Sequence, residues 1–272
     1  MTDPVHAIPD LVYARRGDRA LHLDIYLPAM TSRPLPLVVW VHGGAFRAGD
    51  RKSNVEALSL VPHGYAVASI QYRLSRETLF PAQIQDCKEA VRWLRAHANE
   101  YGLDGARIGA WGSSAGGHLV AMLGTSGGVA GLEGNTAYPQ ISARVQAVCD
   151  WFGPTDFLQM NDHPGSMDHN AADSPESQLV GGPIQEHPDR VAAANPITYI
   201  SGDEPPFLIM HGDSDMLVPH HQSVLLYRAL KKAGVEVTLR TLPGVGHDGP
   251  EFRAPEIIDE VIAFFGRHLR PA

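Results

Sequence analysis

Residues 110–123, AWGSSAGGHLVAML, decide how the rest of the chain is read. Gly112-Ser113-Ser114-Ala115-Gly116 fits the pattern G-x-S-x-G, with the strand-like RIGAWG (107–112) before it and the helix-like AGGHLVAMLG (115–124) after it. A strand that turns straight into a helix holds its corner residue in a strained conformation, and only small flanking residues let the two backbone arms pass. Ser114 is that corner, so its hydroxyl is expected to project above a sheet, with Ser113 as a small polar neighbour shaping the turn. Gly112 and Gly117 also have phosphate-loop spacing. His118 and Leu119, however, stand where Lys and Ser or Thr are required, so nucleotide binding is not expected.

Toward the N-terminus, PLVVWVHGGAF (36–46) carries the continuous apolar run Val38 to Val41, as expected of a strand covered on both faces of a parallel sheet, and then ends in glycines. Strand and helix patterns alternate from there. NVEALSLVPHG (54–64) reads as helix, YAVASIQY (65–72) as strand and PAQIQDCKEAVRWLRAHANEYG (81–102) as a long amphipathic helix opened by Pro81. VQAVCDWF (145–152) and PFLIMHG (206–212) read as strands, HHQSVLLYRALKKAG (220–234) as helix, EVTLRTL (236–242) as strand and PEIIDEVIAFFGRHL (255–269) as helix. Strands separated by helices predict a doubly wound, mostly parallel α/β sheet. LVYARRGDRALHLDIYLP (11–28), turning at Gly17-Asp18, adds an N-terminal antiparallel hairpin. The length and the 44% hydrophobic content predict one domain over residues 1–272. Between about 155 and 200 periodicity fades and Pro, Gly, His, Asp and Asn accumulate, which reads as a short cap or lid insertion over the site.

Bulk properties narrow the partners. A formal charge of −8, with no basic run beyond RALKK (228–232), argues against nucleic acid. No stretch approaches the roughly 18 apolar residues of a membrane span, and the N-terminus lacks the basic and apolar regions of a signal peptide. Cytoplasmic residence is the default expectation, although a trimmed secreted precursor would read the same. The two cysteines, Cys87 and Cys149, sit in apolar segments and are expected as buried free thiols. A homo-oligomer is compatible with this composition.

A serine is a weak nucleophile near neutral pH and needs a base, with an acid to orient that base. HGDSDMLVP (211–219) offers two aspartates after a buried strand. Asp215, further out on the loop, is preferred as the orienting acid, and Asp213 is expected to make a turn hydrogen bond. GVGH (244–247) places His247 on a glycine-rich loop after the last strand, where it can reach back to Ser114 as general base. HGGAF (42–46) ends the first parallel strand. The amides of Gly44 and Ala45 there, with that of Ala115 at the start of a helix, are the candidate donors to a developing oxyanion. His42 is expected to brace the loop through its ring nitrogens. Phe46, Trp151 and Phe152 are candidate pocket-lining residues. His163, Asp168 and His169 are ligand-type residues without a recognised metal spacing and read as a solvated loop. Arg73 and Asp86 read as a structural ion pair.

With these residues in place the chain resembles the α/β-hydrolase carboxylesterases, in particular the hormone-sensitive-lipase-like group and the bifunctional feruloyl and acetyl-xylan esterases. HGGAF, YRLS, FPAQIQDCKEAVRWLRAHANEYGLD, GSSAGGHLVAMLGT, DWFGPTDF, HGDSDMLVP and GVGH carry the resemblance in order, over nearly the whole chain. It implies Ser114 as nucleophile, His247 as base, Asp215 as its orienter and an oxyanion hole near Gly44 and Ala115, with no metal or cofactor. Ala45 stands in place of the third glycine of the lipase group's H-G-G-G, and Ser113 in place of the Asp of its G-D-S-A-G. The N-terminal part is also too short for that group's helical cap, so the feruloyl and acetyl esterase branch is favoured.

The expected activity is hydrolysis of a small-molecule or carbohydrate-linked ester with a short or aromatic acyl group. An amide hydrolase of arylformamidase or peptidase type would use the same machinery, whereas a non-catalytic receptor on this scaffold should lack a member of the set.

Overall fold

Val38 to Val41 lie in β3 (Leu35–Val41), every residue of which is buried, in a computed structural model that describes residues 5–29 and 34–270. The other strands are β1 (Val5–Arg16), β2 (Arg19–Pro28), β4 (Ala66–Ile70), β5 (Leu103–Ser113), β6 (Ala147–Trp151), β7 (Phe207–Gly212) and β8 (Val237–Leu242). They form one sheet in the order β1-β2-β4-β3-β5-β6-β7-β8. β1 pairs antiparallel with β2, and β2 with β4, while the remaining neighbours are parallel. The chain passes from β3 to β4 on one side and then to β5 on the other. That reversal opens a crevice between the carboxyl ends of β3 and β5, where ligands bind in open α/β sheets.

The period of two along β3 accounts for the layers. Leu37, Val39 and Val41 face a core shared with α1 (Ala82–Ala96), α2 (Ala115–Thr125) and α3 (His221–Lys232). Val38 and Trp40 face a second core closed by α4 (Pro255–Leu269) and a 3₁₀ segment, Glu56–His63. In this second core Trp40, Trp111 and Trp151 pack edge to face, with ring centroids 5.5 and 4.8 Å apart. Such pairs contribute about 0.5–1.5 kcal/mol each beyond the area they bury.

Two local expectations need correction. Within residues 54–64 the chain forms the 3₁₀ segment Glu56–His63 and not an α-helix. Pro62 lies inside it without an N–H to donate, and Gly64 ends it at φ 80°. The helix expected over 81–102 ends at Ala96. The His97 ring binds the Trp93 carbonyl oxygen at 2.8 Å, and the exposed Asn99 and Glu100 have no apolar face that would extend the helix.

Residues 155–200 fold into short helical turns, and Phe157, Leu179, Ile184 and Val191 join the core on the α1–α3 side. Arg73 Nε lies 2.7 Å from Asp86 Oδ2, and Arg16 is a second cation on that buried carboxylate. Cys87 and Cys149 are buried free thiols. No helix among the described residues is long and apolar enough to cross a membrane.

Candidate active site

Ser114 joins β5 to α2 at φ 55° and ψ −121°, a region that costs a non-glycine residue of order 1–3 kcal/mol. Its surroundings hold it there. The Ser114 N–H donates to the Trp151 carbonyl at 2.8 Å, and its own carbonyl accepts the His118 N–H at 3.0 Å. A Cβ on Gly112 would overlap the Gly116 carbonyl, and one on Gly116 would overlap the Val41 carbonyl oxygen. The small residues of the motif are therefore what let α2 start against β3.

Three loops from distant parts of the chain converge on this corner. The Ser114 hydroxyl is 3.1 Å from His247 Nε2, across 133 residues of sequence, and His247 Nδ1 is 2.7 Å from Asp215 Oδ2. An ionised carboxylate only accepts, so Nδ1 carries the hydrogen and Nε2 is left as an acceptor for the serine proton. Burial by itself pushes the Asp215 carboxyl up. Hydrogen bonds from His211 and His247 outweigh it and hold the group well below the ordinary carboxylate range. Asp215 Oδ1 also accepts the N–H groups of Leu217 and Val218, at 2.8 and 2.9 Å. The Asp215 loop is tied to the His247 loop through Asp213, whose carboxylate accepts the Gly244 N–H at 2.7 Å.

Gly43, Gly44 and Ala45 border the same cavity of about 360 Å³ as Ser114 and His247. Gly44 has φ 113°, and its carbonyl accepts the N–H groups of Arg47 and Ala48, so the chain doubles back beside the serine. Among the described residues the N–H groups of Gly44, Ala45 and Ala115 donate no hydrogen bond. The His42 Nδ1 binds the Gly43 carbonyl oxygen at 2.7 Å, and its ring stacks on Tyr72 with centroids 4.3 Å apart. Burial lowers its pKa and favours the neutral ring.

Of the three aromatic residues expected to line the pocket, Phe152 does so, its ring 4.7 Å from that of His247. Phe46 and Trp151 do not. Phe46 is buried against His118 and Phe157, and Trp151 faces the opposite side of the sheet, against Trp111 and Phe252. Trp151 is the last residue of β6, whereas Phe152 follows the strand at φ 42°, so both rings pack on Phe252 but Phe152 also reaches His247.

The insertion touches the cavity rim from outside: His169 Nε2 donates to the Leu217 carbonyl at 3.0 Å, and Ser166 N–H donates to that of Met216 at 2.6 Å. No residue of 155–200 is among those lining the cavity. His163 packs on His221, Asp168 accepts from Asn161, and His169 pairs with Glu176. A larger cavity of about 540 Å³, between His163 and His221 on the outer side of the Asp215 loop, does not include Ser114.

Sequence reasoning missed Gly49, Ser53, Asn54, Leu217 and Asp248, which also line the cavity, and His211, which shares the Asp215 carboxylate. For His211 a signal was available: it stands at the end of an apolar strand, four residues before Asp215.

An eight-stranded sheet with Ser114 at its central strand-to-helix turn, hydrogen-bonded through His247 to Asp215, defines an α/β-hydrolase. The BD-FAE family profile matches residues 23–230, and the chain belongs to that family. The probable carboxylic ester hydrolase LipM of Mycobacterium tuberculosis is 32% identical over 220 residues, covering 79% of this chain and 49% of that protein. The chain spans about half the length of the curated relatives it matches. Among solved structures, a truncated carbohydrate esterase from gut microbiota superposes with TM-score 0.88 at 35% identity, covering 96% of this chain and 95% of that one. A bifunctional GH43-CE protein from Bacteroides eggerthii superposes with TM-score 0.87 at 38% identity, covering 96% of this chain and 35% of that one.

Proposed function

We propose that the protein is a carboxylic ester hydrolase working through an acyl-serine intermediate on Ser114. The observation that carries this is the hydrogen-bonded chain from Ser114 Oγ through the His247 ring to Asp215, opening on a cavity bordered by undonated backbone amides.

In the first half-reaction Ser114 Oγ attacks the ester carbonyl carbon while its proton passes to His247 Nε2. The carbonyl oxygen becomes an oxyanion beside the amides of Gly44, Ala45 and Ala115, each such donor being worth roughly 3–4 kcal/mol in the transition state. Collapse breaks the bond to the alcohol oxygen, which takes the proton from the imidazolium. In the second half water replaces the alcohol, gives its proton to His247 and releases the acid, and the serine regains its hydrogen.

The favoured substrates are short acyl or aromatic acyl esters, including acetyl and feruloyl esters of carbohydrates. Support comes from the family and the carbohydrate-esterase neighbours, and from a cavity wall that sets Phe152 and Leu217 beside the polar Ser53, Asn54 and Asp248. The test is a panel of 4-nitrophenyl acetate and butyrate, methyl ferulate, acetylated xylan and matched amides. Turnover of the esters by the wild type, lost in Ser114→Ala, is expected. A strong preference for the amides would favour amide hydrolysis, and wild-type rates in Ser114→Ala would overturn the assignment.

A further inference from the structure

Asp215 is held by a second histidine. His211, on β7 with its side chain fully buried, places Nε2 3.1 Å from Asp215 Oδ2 and 2.9 Å from the Val218 carbonyl oxygen. Both neighbours are acceptors, so Nε2 must carry a hydrogen and divide it between them. Nδ1 lies 2.7 Å from Ser223 Oγ, a hydroxyl that can donate or accept. The hydrogen on Nε2 therefore follows from the surroundings. Because the ring has no access to water, no solvent molecule can replace these bonds.

We infer that His211 is a positioning residue for the proposed hydrolysis: its Nε2–H fixes the Asp215 carboxylate so that Oδ2 meets His247 Nδ1, and it shares the carboxylate's charge with His247. The inference rests on the assignment of Ser114, His247 and Asp215 above. His211 touches no reacting atom and acts only through Asp215. Two donors converge on Oδ2 and two backbone N–H groups on Oδ1, so removing one of the four loosens the carboxylate and turns more of its charge on His247. A ring that only filled space would do neither. The other titratable groups facing the pair are His220, its ring 5.5 Å from that of His211, with His221 and Asp213 beside it.

The test compares His211→Leu and His211→Gln, the latter restoring a side-chain N–H donor. With 4-nitrophenyl acetate, His211→Leu is expected to lower kcat about 10- to 100-fold, the loss of one buried bond to a charged group, with KM within about twofold. Its kcat/KM acid limb moves to higher pH, because the less-shared carboxylate favours the protonated His247. His211→Gln recovers most of the lost kcat and returns the acid limb toward its original position. A folded His211→Leu with wild-type kcat and pH profile would overturn the proposal.

Nitrogen-15 NMR of histidine-labelled wild-type protein keeps the question answerable if His211→Leu does not fold. An Nε2–H, its signal displaced in Asp215→Asn, is expected; an Nε2 without a hydrogen, or no response to Asp215→Asn, overturns the proposal. If Ser114→Ala retains activity the hydrolase assignment fails, while the NMR comparison still decides the His211–Asp215 bond.

Discussion

Gly116 packs its Cα so closely on the Val41 carbonyl oxygen that there is no room between them for a methyl group. This contact sets the first turn of α2, just after Ser114, against the end of β3.

Gly116→Ala is therefore expected to destabilise the fold by overpacking, typically about 1–3 kcal/mol and more where the obstacle is backbone. For a domain of this size each kcal/mol lowers Tm by roughly 2–4 °C. Thermal denaturation and ester turnover measured together should both fall. An unchanged Tm with full activity would show that the helix can shift without cost.

Gly44→Ala isolates the other side of the cavity. At φ 113° an L side chain is strained, and its Cβ would overlap the Ala48 carbonyl. The loop should rotate its amides away from the oxyanion position, lowering kcat about 10²- to 10³-fold with little change in KM. Steady-state kinetics on 4-nitrophenyl acetate check this, and a loss confined to KM would argue against an oxyanion role.

Activity is expected to fall as the solution is acidified, because only the neutral His247 ring accepts the serine proton. The measurement is kcat/KM against pH, with a stability control at each point. A rate unchanged down to about pH 4.5 in folded enzyme would remove His247 from the role of base.

Asp150, buried beneath α2, gives a separate pH dependence. Burial pushes its carboxyl from 3.8 up to about 7, against one lowering hydrogen bond from the Gly153 N–H. The folded pKa is the higher one, so this contribution to stability is complete below the unfolded value and is lost as pH rises from about 4 to about 7. Between those limits the folded chain holds the extra proton, and the slope is about −1.4 kcal/mol per pH unit. His118 has the opposite sign: burial lowers it from 6.5 to about 4, so its contribution is present above the unfolded value and is lost as pH falls. The two oppose each other over much of the acidic range.

Asp150→Asn keeps an acceptor for Gly153 and removes one of these titrations. Its Tm should gain on that of the wild type by on the order of 5 °C between pH 5 and pH 8. Parallel melting curves for the two proteins across that range would show that the carboxyl does not titrate in the fold.

Legibility in the sequence followed the range of the cause. The continuous apolar run at Val38 to Val41, the hairpin at Gly17-Asp18 and the turn around Ser114 are set by neighbouring residues, and each was readable. The 3₁₀ segment at Glu56–His63 was misread because an apolar helical pattern outweighed Pro62. Phe46 and Trp151 were misplaced because proximity in the chain does not say on which side of a sheet a ring falls.

The amino-acid order alone determined the alternation of strand and helix and the strained serine corner. These depend on side-chain period and local backbone sterics, which a short window of residues contains. Only the tertiary structure decided that His247, among fourteen histidines, meets Ser114 across 133 residues, and that His211 shares its carboxylate partner. Those meetings depend on strand order and on the reversal beside β3, which bring the loop ends together in space; no local pattern records that distance.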